Sequence, residues 1–327
     1  MTSLLTGLLR GTAAGAAGTT ALNVATQADM AWRARPASDT PVETVSALAE
    51  RADVAIPGRR RERRHRLEGL GGLAGAATGV AVGGVAGALR SAGVRLPAVL
   101  GVPVLGAAAM LTSDLPTARL GLTDLRSWSS RDWAADVVPH LAYGAATHAT
   151  LASTFRAEDR ERAEHPERFP APATAGALAR AAALGAATGS RSTFGLAAVA
   201  WRARPGDAGP SGALAGRAGR AATTLAALGE AAGDKHPAVP PRTAPPGLVP
   251  RLTLAATGAD VLARRDGYEG GPGVLVATAA AAGAAVGGVA LRARAHERFG
   301  TDLPGALAED VIAKLLALWG AGRGSAG

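Results

Sequence analysis

Residues 71–87 read GGLAGAATGVAVGGVAG. Gly71, Gly75, Gly79, Gly83 and Gly87 recur at every fourth position, which lays them along one stripe of a helix. In water each such glycine costs a helix roughly 1 kcal/mol against alanine. In lipid the backbone must satisfy its own hydrogen bonds, so the helix is enforced, and small residues let a second helix approach closely. The stripe therefore predicts an all-α, polytopic transmembrane bundle, packed through these five glycines in the manner of a glycine zipper.

The rest of the chain extends that reading. Of its 327 residues 48% are hydrophobic, but Phe, Trp and Tyr together make only 3%. Alanine and glycine fill little volume, which suits helix-on-helix packing better than a water-excluding core. The mean hydropathy of +0.14 is depressed by Arg-rich connections. The formal charge is +9, with Lys235 and Lys314 the only lysines, an Ala/Gly/Arg bias that suggests a GC-rich bacterial genome. With no cysteine there is no disulfide framework and no thiolate chemistry. The N-terminal apolar run, 3–31, is too long for a cleaved leader and is expected to be a retained span.

Apolar segments are expected at 3–31, 69–90, 96–113, 134–155, 173–201, 213–233, 248–264, 272–292 and 304–320. That makes about nine helices, most of them near the ~20 residues a bilayer core needs. Gly7, Gly11, Gly15, Thr19 and Asn23 form a second small-residue stripe on the first of them. The tryptophans gather at or near segment ends, as an aromatic belt would. The domains expected are an N-terminal membrane module, 1–155, with an Arg-rich loop at 33–68, then a charged linker, 156–170, and a C-terminal module, 171–327. The run RRRERRHR, Arg59 to Arg66, reads as a topology determinant on the cytoplasmic side, in contact with anionic lipid. It lacks interleaved aromatics and a reading helix, so nucleic acid is not an expected partner. Membrane lipids are, and small-residue stripes also allow a homo-oligomer. The location expected is a bacterial plasma membrane, crossed several times.

Polar groups inside apolar segments mark the candidate site. Gly189-Ser190-Arg191-Ser192 interrupts 173–201. Either Arg191 marks a short loop between two half-helices, or a break there exposes backbone N–H groups able to hold an anion. Glu230, Asp234 and Lys235 close one segment, with Arg242 beyond a run of prolines. Glu309 and Asp310 lie in the first turns of the last helix, and either is expected to pair with Arg191. A secondary candidate is Asp136, His140 and His148 on one face of 134–155, with Tyr143 adjacent: a satisfied polar seam at an interface is the default reading, and a proton path fits better than a metal. No catalytic set, metal site or cofactor site is expected. GAATGSRST lacks the Lys-Ser/Thr ending of a phosphate loop.

Four stretches, LGAATGSRSTFGLAAVAW, GEAAGDKHPAVPPRT, GADVLARRDG and LPGALAEDVIAKLLAL, resemble a family of small bacterial polytopic membrane proteins classed as a domain of unknown function. Its Gly-x-Arg-Ser break falls on Gly189, Arg191 and Ser192. Its Asp-Lys-x-Pro-x-x-Pro-x-Arg turn falls on Asp234, Lys235, Pro237, Pro240 and Arg242, and its Glu-Asp pair on Glu309 and Asp310. Phe194-Gly195 departs from the family, which often carries Pro there. The N-terminal half, through GTTALNVATQADMAWRARPASDTP, TDLRSW and DWAADVVPHLAYG, is similar to uncharacterised actinobacterial membrane proteins. The resemblance implies membrane placement and names no activity. A helical membrane protein that binds or moves a small solute or ion is the leading expectation, and a non-transporting assembly protein the alternative.

Overall fold

The computed structural model describes residues 3–233 and 241–323, with only the backbone considered at 231–233. Among the described residues the fold is all-helical, 79% helix in thirteen α-helices with no strand. The chain forms two compact units, 1–166 and 167–327. The division falls inside 156–170, most of which is itself helical.

The first unit contains α1 (Leu4–Arg33), α2 (Thr40–Arg51), α3 (Arg60–Ser91), α4 (Ala98–Arg119), α5 (Ser130–Thr154) and α6 (Arg156–Glu164). The expected loop 33–68 is thus largely helical. The basic run Arg59–Arg66 forms the first turns of α3, because Arg and Glu are good helix formers and Glu62 returns to accept from the Arg59 N–H.

Glycine sets the α1–α3 contact. A Cβ on Gly83 would stand 2.4 Å from the Gly15 Cα, one on Gly87 2.1 Å from the Gly7 carbonyl, and one on Gly11 2.2 Å from the Gly83 carbonyl. The register, 7 against 87 and 15 against 79, is antiparallel. Gly79 meets the Thr19 hydroxyl and the Tyr143 ring. Gly71 instead abuts Pro41 of α2, and Gly75 abuts nothing within 4 Å. The expectation that all five share one packing face is therefore corrected. A spacing of four advances about 40° per step on a helix of 3.6 residues per turn, so five such residues wind off any single neighbour.

The second unit contains α7 (Ala175–Ser190), α8 (Phe194–Arg202), α9 (Pro210–Leu214), α10 (Arg217–Gly233), α11 (Pro245–Arg265), α12 (Gly270–Phe299) and α13 (Leu303–Gly320). The parallel pair α7 and α12 again packs on glycine, with Gly185 over Ala277 and Gly189 over Ala281. Leu184, Ala187, Ala198, Val199, Val261, Leu262, Ala317 and Ala321 make the buried core, with Phe194, Leu214 and Leu316 packed against it. Arg265, its side chain wholly buried, donates to the carbonyls of Ala321 and Gly322 and so caps α13 from the end of α11.

Three helices, α3, α4 and α12, are long and apolar enough to cross a membrane. In each, only 22% of the most apolar stretch is buried inside the protein. Their hydrophobic residues therefore face outward, the reverse of a water-soluble core. The segment expected at 173–201 is two helices of 16 and 9 residues, because the chain breaks at Arg191. Each falls short of the ~20 residues a span needs.

Candidate functional site

The break at Arg191 organises the second unit. Arg191 ends α7 in an extended conformation, and Ser192 and Thr193 lead into α8. Their N–H groups point away from either helix ladder and need an acceptor. Glu230 of α10 supplies it. Glu230 Oε1 accepts from the Ser192 N–H at 2.7 Å and from its hydroxyl at 2.6 Å. Oε2 accepts from the Thr193 N–H at 2.8 Å and from its hydroxyl at 2.6 Å. Arg251 of α11, its side chain 9% exposed, brings Nη2 to 3.5 Å from Oε1. The carboxylate thus sits at the positive end of α8, where the helix dipole favours it.

Two further pairs complete the network. Arg191 meets Asp310 of α13 at 2.7 Å. Glu309, one residue away and 3% exposed, accepts from Arg242 and, at 2.9 Å, from Arg292 of α12. Gly288 makes room for this pair. A Cβ there would fall 2.3 Å from Glu309 Oε1 and 2.8 Å from Arg242 Nη1. Among the described residues, four guanidiniums (Arg191, Arg242, Arg251, Arg292) face three carboxylates (Glu230, Glu309, Asp310). Among the described residues, the buried Arg251 Nε and Arg292 Nη2 find no hydrogen-bond partner.

The structure therefore brings together Arg191, Ser192, Glu230, Arg242, Glu309 and Asp310. Of the two carboxylates expected opposite Arg191, Asp310 is the one it meets. Asp234 and Lys235, named with them, lie outside the described residues. Arg251, Arg292 and Gly288 were not singled out by sequence reasoning. The available signal for Arg251 was an arginine inside an otherwise apolar run, which has to find a partner. Gly288 was indistinguishable from its packing neighbours.

The secondary candidate holds in part: of the four residues on α5, Asp136 and His140 stay together, whereas Tyr143 and His148 each reach a different neighbour. His140 Nδ1 lies 2.8 Å from the Asp136 carbonyl of its own helix and 3.5 Å from the Asp136 carboxylate. Tyr143, 1% exposed, donates to the Gly79 carbonyl of α3 at 2.6 Å. His148 packs on Gly101 of α4. Asp114 of α4 is the carboxyl that faces Asp136. Among the described residues no three His, Cys, Asp or Glu side chains converge as a metal site would require.

Apolar helices turned outward and paired charges turned inward support a class: a membrane-embedded helical protein. No family model, no curated protein and no solved structure matches the chain.

Proposed function

We propose that the chain is a multi-pass protein of a bacterial cell membrane, with about nine membrane helices in all. Its C-terminal unit binds or translocates a small solute or ion at the α7–α8 break. The observation that carries this reading is the seat of Glu230, four hydrogen bonds deep in a broken helix. Discontinuous helices with polar groups at their ends are how membrane transporters present backbone to a solute. Cost supports it too. An arginine at mid-membrane is unfavourable by about 2.5–3.5 kcal/mol on insertion scales, and apolar side chains usually replace buried ion pairs without loss of stability. A scaffold has little use for buried guanidiniums such as those of Arg191 and Arg251. Lipids are the proposed surroundings and a homo-oligomer a proposed assembly. The resemblance of 170–321 to a bacterial family of unknown function adds membrane placement alone.

A non-transporting assembly protein is the second reading. It is favoured by the direct pairing of all three carboxylates and by the glycine contacts of α1 with α3. Flux of small ions and solutes into proteoliposomes separates the two. Transport predicts solute-dependent flux that Glu230→Gln and Glu309→Gln reduce at least tenfold. No flux, with both variants silent in the cell, establishes the assembly reading instead.

A further inference from the structure

The first unit treats the arginines at its two ends differently. Its long helices alternate in direction: Gly15 lies against Gly79, Gly18 against Thr147, and Gly101 against His148. One end therefore gathers the start of α1, the turn between α3 and α4, and α6. The other gathers α2, the start of α3, and the turn between α4 and α5. At the α6 end the guanidiniums are spent within the protein. Arg10 meets Glu158 at 2.5 Å, and Arg90 and Arg95 meet Asp159 at 2.5 and 3.4 Å. Arg10 and Arg90 also lie over the Phe155 ring, at 4.9 and 5.4 Å. At the α2 end, Arg51, Arg60, Arg61, Arg119, Arg126 and Arg131 are exposed, and none forms an ion pair among the described residues. The basic run itself is only partly available there, since Arg63, Arg64 and Arg66 turn to Ser46, Glu68 and the Pro57 carbonyl.

We propose that the α2 end of the first unit is a docking surface for anionic phospholipid headgroups, assembled from four separate places in the chain, with α2 lying in the plane of the interface. The proposal rests on the membrane reading above and is independent of any solute at the α7–α8 break. Three observations support it. Arg60, Arg61 and Arg131 lie in the first turns of α3 and α5, where the helix dipole disfavours a cation. The fold gains nothing from them there, whereas an outside anion does. Trp32, Trp128 and Trp133 lie at the same end, the last two edge to face at 5.0 Å, and tryptophan collects at headgroup level. Finally, α2 has no buried residue, and Leu48 and the adjoining Val54 are at least half exposed beside Arg51. A short helix with bare apolar groups beside cations lies at the boundary of headgroups and acyl chains. The tryptophans and α2 thus select a lipid surface over a soluble acidic partner, which would use neither.

The test reconstitutes the native chain into phosphatidylcholine vesicles carrying a trace of spin-labelled phosphatidylglycerol or spin-labelled phosphatidylcholine. The share of each probe immobilised by the protein gives their relative association. Phosphatidylglycerol is expected to be favoured at least about threefold in roughly 0.1 M sodium chloride, and not at all in roughly 1 M, where screening is strong. Arg60→Gln/Arg61→Gln/Arg126→Gln, at exposed and unpaired positions, should lose at least half of that preference. Arg156→Gln/Arg160→Gln, on exposed positions of α6 at the opposite end, should keep it. Equal association of the two probes with the native chain, a preference that survives high salt, one unchanged in the triple variant, or one lost equally in the α6 variant overturns the proposal. Should the triple variant not accumulate, the salt dependence of the native chain decides. A chain that does not enter vesicles overturns the membrane reading and this proposal with it, whereas a chain that enters them without preference overturns this proposal alone.

Discussion

Adjacent residues on a helix point about 100° apart, and the pair Glu309-Asp310 uses that angle to serve two partners. Asp310 turns to Arg191, while Glu309 turns to Arg242 and Arg292. Sequence alone marks the pair and the arginine as partners, but cannot choose between neighbours that differ only by rotation. The seat of Glu230 was illegible for another reason. A broken helix with free N–H groups was readable at 189–192, and so was a carboxylate at 230, but no local rule joins residues 38 positions apart. Outside the membrane segments, Asp207 carries a pH signature. Asp207, 7% exposed, is pushed up by burial, but the Arg323 guanidinium at 2.6 Å, the Arg204 N–H and the Ser211 hydroxyl outweigh that and hold it below the ordinary 3.8. A lowered carboxyl contributes stability that is complete above its ordinary value and is lost as pH falls through the lowered one. Thermal midpoints followed from neutral into acid should therefore fall more steeply for the native chain than for Asp207→Asn. Superimposable curves would show that this carboxylate is not linked to folding.

Elements behave as rods whose spacing glycine sets. The stripe at 71–87 announced close helix contact, and the matching stripe on α1 announced its partner, since both repeat every four residues. What the pattern hid was the winding that turns Gly71 toward α2 and Gly75 toward nothing. The two kinds of glycine should respond oppositely. In Gly83→Ala the new methyl lies 2.4 Å from the Gly15 Cα and 2.5 Å from the Gly11 carbonyl, backbone atoms that yield only if the helices part. Overpacking of this kind costs about 1–3 kcal/mol. In Gly75→Ala the methyl enters open space, and the gain in helix propensity, about 1 kcal/mol, is unopposed. Unfolding of the two variants in detergent checks both signs. A Gly83→Ala protein as stable as Gly75→Ala would refute the close contact. The same logic shows why the break in 173–201 was legible. Gly, Ser and Arg together interrupt an alanine-rich run, and α7 ends at Ser190.

At the scale of the molecule, an ordinary soluble fold is turned inside out. Leu73, Val85, Val99 and Leu111 of the first unit, and Val286, Ile312 and Leu315 of the second, are at least half exposed, while Arg191, Arg251, Arg265 and Glu309 are buried. Such a surface is costly in water at about 25 cal/mol per Å² of apolar area and costs nothing in lipid. The protein should stay with the membrane pellet through an alkaline carbonate wash and leave it only with detergent. Recovery as a monodisperse species in plain buffer would contradict the membrane reading at its root. Composition made this scale legible, because small residues and few aromatics cannot build a large aqueous core. The number of crossings was not legible, since a broken helix and a continuous one can share the same hydropathy.

α3 runs unbroken for 32 residues from Arg60 to Ser91, a rod of about 48 Å at 1.5 Å per residue. A hydrocarbon slab of ~30 Å cannot hide all of it, so the arginine end stands clear as a rigid post. Because post and glycine face share one spiral, the compass bearing of the arginines is locked to that of the helix seam. One residue inserted between them would swing the guanidiniums about 100° around the axis, like a weathervane remounted on its spindle.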